Sequence, residues 1–184
     1  MKPEIADNRQ RASRADGCPL YVDLDGTLIA TDMLWEALRA LLRERPASIA
    51  MGPLWLTRGR ARLKGEWAER LRVPVDMLPY RASVLAYIEQ ARAAGRPVVL
   101  ASASPRRWVE DVARHLDIFD DVLATDGDVN LKARAKGDAI EAHLAAGGHN
   151  GDFEYLGDST ADVEIWRRAG RATLVAGSHG LDRR

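Results

Sequence analysis

The sequence predicts an α/β fold with a mainly parallel sheet. Two observations carry this: apolar runs of strand length alternate with segments of helical apolar spacing, and those segments begin and end at capping or breaking residues. The first strand is expected over Pro19–Leu24 and ends at an Asp-rich turn. A helix follows, with Thr31 or Asp32 as N-cap, Leu34, Leu38, Leu41 and Leu42 on one face, and Pro46 as its stop. Residues 47–78 carry no strand pattern, only helical pieces broken at Gly52-Pro53 and Pro74. A helix over Pro79–Ala94 turns Val84, Leu85, Ile88 and Ala91 inward and ends at Gly95. A buried strand, Pro97–Ala101, then leads into a helix over Pro105–Leu116 bearing Trp108, Val109, Val112 and Leu116. Short strands at Asp121–Ala124, Phe153–Leu156 and Ala172–Val175 complete the sheet, joined by helices over Lys136–Ala146 and Asp162–Ala169. The expected organisation is a disordered arm (1–17) and one α/β core (18–184), with a small helical cap inserted after the first strand, at about 30–80.

Composition narrows the partners. Lys+Arg and Asp+Glu both number 27, so no net field draws nucleic acid or an acidic protein. Cys18 is the single cysteine, which excludes an intramolecular disulfide and fits a reducing compartment; beside an apolar run it reads as a packing residue. Met1–Gly17 lacks the apolar core of a signal peptide, and no window approaches the ~18 apolar residues of a membrane span. A cytoplasmic protein is expected. His115, His143, His149 and His179 show no ligand-like spacing.

Ligands of open α/β sheets bind beyond the carboxyl ends of the strands, and four such ends are unusual here. The first runs into Asp23-Leu24-Asp25-Gly26-Thr27 and the second into Ser102-Ala103-Ser104-Pro105. Lys132 and Lys136 follow the third, and the fourth leads to Gly157-Asp158-Ser159-Thr160-Ala161-Asp162. Carboxylates gathered at one sheet edge repel unless a cation sits among them, and hard oxygen ligands with room for phosphate suit Mg2+. Ser104 before Pro105 has the pattern of a helix start and reads as structural, while Ser102 lies at the strand end itself. Lys132 lies in a turn and Lys136 at a helix start. Asp162 reads either as a functional acid or as a helix cap.

These motifs, each after its strand and in this order, resemble the haloacid dehalogenase (HAD) superfamily over about Pro19 to Val175. The resemblance implies a Rossmann-like sheet and Mg2+-dependent phosphomonoester hydrolysis through an aspartyl phosphate. Asp23 would be the nucleophile and Asp25 the general acid and then base. Ser102 would bind a phosphoryl oxygen, and Lys136 would neutralise the phosphate and orient Asp23. Asp158 would ligate the metal together with Asp23 and the backbone carbonyl of Asp25. Asp162 would hold a metal-bound water or the lysine. True dehalogenases of the superfamily lack a carboxylate two residues after the nucleophile, so Asp25 favours a phosphatase or, alternatively, a phosphomutase.

A narrower likeness runs through Asp-Gly-Thr-Leu-Ile-X-Thr-Asp, Pro-Leu-Trp-Leu, Leu-Pro-Tyr, Leu-Ala-Ser-Ala-Ser and Asn-Leu-Lys. Together these resemble the HAD domain fused ahead of some UbiA-family prenyltransferases. That likeness implies an alternative role, an accessory domain binding a membrane prenyltransferase, and adds lipid-linked phosphates to the small phosphorylated substrates to consider. Arg58, Arg60, Arg62 and Lys64, between Trp55 and Trp67, form either a solvated helix face or a contact for an anionic substrate or membrane surface.

Overall fold

The computed structural model describes residues 17–44, 72–126, 131–149 and 152–175. The expected arm (except Gly17), the cap segment 45–71 with Pro46 and the basic run, and His179 lie outside the described residues. Along the described chain run β1 (Leu20–Val22), α1 (Met33–Glu44), a 3-10 turn (Val75–Met77), α2 (Ala82–Ala93), β2 (Val98–Pro105) and α3 (Arg106–Leu116). Then follow β3 (Asp121–Thr125), α4 (Arg134–Ala146), β4 (Glu154–Gly157), a second 3-10 turn (Thr160–Asp162), α5 (Val163–Trp166) and β5 (Arg171–Leu174). The strands form one five-stranded sheet in the order β3-β2-β1-β4-β5, and every pairing is parallel. The α/β fold expected from the alternating pattern is therefore the fold observed.

Strand alternation divides the core into two layers. Leu20, Val22, Val98, Leu100 and Leu156 face a cluster completed by Met33 and Ala37 of α1, Val84, Ile88 and Ala91 of α2, and Trp108, Val109 and Val112 of α3. Their neighbours in sequence, Tyr21, Val99, Ala101 and Tyr155, face the other way, onto Ile140 and Leu144 of α4 and Ile165 of α5. From β1 the chain steps outward to β2 and β3 with its helices on the first face. It then returns past β1 to β4 and β5 with its helices on the second. A constant hand of crossover demands that exchange of faces when the direction of stepping reverses. The reversal leaves the carboxyl ends of β1 and β4 side by side at the switch point.

The opposite, amino end of the sheet is tied by a buried ion pair. Arg96 donates to Glu154 at 2.7 Å and to the carbonyl oxygen of Cys18 at 2.8 Å, and Tyr87 and Thr173 each donate to Glu154 at 2.6 Å. Cys18 is buried beside this network, in line with its packing role. Burial pushes the Glu154 carboxyl up, but the hydrogen bonds from Thr173, Tyr87 and Arg96 and the Arg96 charge outweigh it and hold the group below its ordinary value.

Four local expectations are corrected. The buried stripe of α1 is Met33, Ala37 and Ala40, while Leu42 stays 45% exposed; small alanines let the helix sit close to the core. Pro79–Arg81 is extended rather than helical, because its backbone pairs with residues 28–30: Ala30 donates to Pro79, and Arg81 to Leu28. The second strand continues past Ala101 to Pro105, where it pairs with β3 after a bulge. The helix expected over Asp162–Ala169 is split into a 3-10 turn and the single turn of α5. No helix among the described residues is long and apolar enough to cross a membrane.

Candidate active site

Asp23 leaves β1 at the centre of the sheet, its backbone N–H still bonded to Leu156 of β4 at 2.9 Å. The chain then folds back at once: Leu28 donates to the Asp23 carbonyl, Ile29 to Leu24, and Gly26 to Thr31. Gly26 adopts φ +77, which favours glycine, and a Cβ there would run into the Asp158 carboxylate. The Asp-X-Asp-Gly motif thus has a steric reason for its glycine: the first loop must let the Asp158 side chain of the fourth loop lie against its backbone.

Asp25, which follows the first acid by two residues, is clamped from three directions. One carboxylate oxygen accepts the Met33 N–H at the start of α1, at 2.7 Å. The other accepts the hydroxyl of Ser104 at 2.7 Å and, more distantly, that of Ser102 at 3.4 Å. Asp32 caps α1 through the Leu34 N–H at 2.7 Å. Ser104 does not cap α3, contrary to the helix-start reading of Ser-Pro. Because β2 continues through it, its buried hydroxyl reaches Asp25 instead, while its N–H donates to the Ser102 hydroxyl at 3.0 Å.

Lys136 stands in the first turn of α4, buried, with its ammonium 2.7 Å from Asp23 Oδ1, whereas Lys132 is exposed. It also donates to the Tyr155 hydroxyl at 2.9 Å, and that hydroxyl donates to Asp162 Oδ1 at 3.0 Å. The other Asp162 oxygen receives the N–H and hydroxyl of Ser159, each at 3.3 Å. Asp162 is therefore both the third residue of a capping box and a buried member of the site. Asp158 is buried next to it, at the end of β4.

Lys136 is one cation set against Asp23, Asp25, Asp158 and Asp162. Burial, then the neighbouring charges of Asp162 and Asp25, push the Asp23 carboxyl up to about 7 against the pull of Lys136. Lys136 shows the converse: burial disfavours its charge, but Asp23 and Asp162 more than offset this and raise its pKa. Burial and the same carboxylates hold the Tyr155 hydroxyl well above its ordinary value, so it stays protonated. Oxygens of Asp23, Asp158 and Asp162 lie within 4.8 Å of one another. An all-carboxylate, oxygen-only set with excess negative charge fits a hard divalent cation such as Mg2+.

The structure thus brings Asp23, Asp25, Ser102, Lys136, Asp158 and Asp162 to one end of the sheet. Two further participants, Ser104 and Tyr155, were missed. The signal for Tyr155 was present: strand alternation places it on the Lys136 side, two residues before Gly157, where a Cβ would stand 2.8 Å from the Tyr155 ring.

Comparisons with known proteins bear on the family and the fold. The sequence model of the family described as haloacid dehalogenase-like hydrolase matches residues 56–167. Uncharacterized protein y4nM of Sinorhizobium fredii is 38% identical over 158 residues, 85% of this chain; the chain spans only 30% of that relative's length. Among solved structures, a protein of unknown function from Bordetella pertussis Tohama I superposes with a TM-score of 0.72 at 18% identity, covering 90% of this chain and 92% of the other. A phospho-aspartyl intermediate analogue of phosphoserine phosphatase superposes with a TM-score of 0.60 at 20% identity, covering 85% of each chain.

Proposed function

This chain belongs to the haloacid dehalogenase-like hydrolase family, and from that premise we propose that it is a Mg2+-dependent phosphomonoester hydrolase with Asp23 as nucleophile. The observation that carries the reading is the pair of acids at the end of β1, one held by a buried lysine and the other clamped by serines. A carboxylate two residues after the nucleophile is what distinguishes ester hydrolysis from dehalogenation in the resemblance described above.

In this reading Asp23 attacks phosphorus while the ester P–O bond breaks, and Asp25 gives its proton to the departing oxygen. Asp25 then takes a proton from water, which attacks the aspartyl phosphate, releases inorganic phosphate and restores Asp23. Ser104 and the α1 amide hold Asp25 for both transfers, and Ser102 offers its hydroxyl to a phosphoryl oxygen. Lys136 pulls the Asp23 carboxyl toward its ionised form and offsets phosphate charge. Asp23, Asp158 and the Asp25 carbonyl would hold Mg2+, with Asp162 alongside; when bound, the ion supplies charge neutralisation between nucleophile and substrate.

The test is a panel of phosphorylated metabolites, phosphoserine and prenyl phosphates included, assayed with and without Mg2+. Metal-dependent phosphate release by the wild type and none by Asp23→Asn is the expected result; equal activity in the variant overturns the mechanism. Phosphate transferred to a second sugar phosphate, not to water, would make the chain a phosphomutase. The share of y4nM left uncovered favours one second reading, a domain working within a larger polypeptide. The membrane-prenyltransferase partner and the lipid-linked substrate rest on the resemblance alone, and a preference for long-chain over short-chain phosphates in the same panel would support them.

A further inference from the structure

Resting on that reading of Asp23 and Lys136, we infer that Tyr155 is a positioning residue whose hydroxyl keeps the Lys136 ammonium on the nucleophile and off Asp162. The ammonium has two carboxylates in reach, Asp23 Oδ1 at 2.7 Å and Asp162 Oδ1 at 3.8 Å. At low dielectric both attract it, and a small swing would exchange one for the other. The Tyr155 hydroxyl occupies the gap, accepting from Lys136 at 2.9 Å and donating to Asp162 at 3.0 Å. It therefore satisfies Asp162 with a neutral donor and leaves the cation to Asp23.

The hydroxyl is itself held in place. Tyr155 is fully buried, its ring packs with the cluster under α4, and Gly157 leaves room for the ring edge. Asp162 has its other oxygen fixed by Ser159, so the rival carboxylate cannot turn away. The chain Asp23–Lys136–Tyr155–Asp162–Ser159 is a continuous polar line from the nucleophile to the loop after β4.

The experiment compares wild type and Tyr155→Phe on a small phosphate ester at saturating Mg2+, with melting temperatures recorded in parallel. The ring and its packing survive, and only the hydroxyl is lost. The expected result is a fall of about tenfold to a hundredfold in kcat, the scale of a hydrogen bond to a charged group, with KM changed by less than about threefold. In an Asp162→Asn background the rival charge is gone, so adding Tyr155→Phe should lower kcat by less than about threefold, a non-additivity that a packing role would not produce. A kcat within about twofold of wild type, a loss that tracks unfolding, or equal losses in both backgrounds overturns the inference. Absence of metal-dependent activity in the wild type itself would instead defeat the functional reading, so the two failures are distinguishable.

Discussion

Asp23 sits in contact with the buried Lys136, so replacing its carboxylate by an amide of the same shape separates chemistry from packing. Asp23→Asn is expected to abolish turnover while its circular dichroism stays that of the folded wild type, since Asp162, 3.8 Å from the Lys136 ammonium, still balances that charge. Gly26 is a different kind of residue, essential for where it lets the chain go. Gly26→Ala combines a strained φ of +77 with collision against Asp158. It should cost more than ~1 kcal/mol of stability and also remove Mg2+-dependent activity, because the displaced side chain is a metal candidate. Thermal melting with and without Mg2+ checks both effects. Tyr155 and Ser104 belong to this scale too: each presents a single hydroxyl to a charged neighbour.

At the level of elements, β4 carries the two ends of the molecule's polar architecture on alternate residues. Tyr155 faces Lys136, whereas Glu154 faces the amino-end network. Removing one partner of a buried ion pair strands the other charge, so Arg96→Met should cost about 3–5 kcal/mol, read from urea denaturation. The acid limb of stability follows from Glu154. Its folded pKa lies below the ordinary glutamate value of 4.5, so the stability it contributes is present above about pH 4.5 and is lost as pH falls through the depressed folded value. Glu154→Gln should therefore flatten the loss of stability below about pH 4.5 in a series of melts, besides lowering stability at neutral pH. A curve as steep as that of wild type would contradict the assignment. Elements also explain the misread serine: β2 runs on to Pro105 because β3 is there to pair with it, a fact of neighbouring strands that no local pattern contains.

For the whole molecule, the site exists because the direction in which the chain steps across the parallel sheet reverses between β1 and β4, which sets Asp23 beside Asp158 and Asp162. Mg2+ should relieve the repulsion among these acids and raise the melting temperature. A ligand at a hundred times its dissociation constant adds ~2.7 kcal/mol, or roughly 5–10 °C for a chain of this size. Asp158→Ala should remove most of that gain, and a shift that survives in the variant places the ion elsewhere. The order of strands and helices, and the acids, serine and lysine at the strand ends, were legible in the sequence by itself. Apolar period and capping chemistry are local properties, and functional groups cluster in runs after each strand. The strand order, the clamp of Ser104 and the α1 amide on Asp25, and the Lys136–Tyr155–Asp162 line were decided only by the tertiary structure. The longer of these links join residues 19 and 79 positions apart in the chain, Tyr155 to Lys136 and Ser104 to Asp25. Which of several polar side chains meet across such distances depends on how the strands are ordered and which face each residue takes.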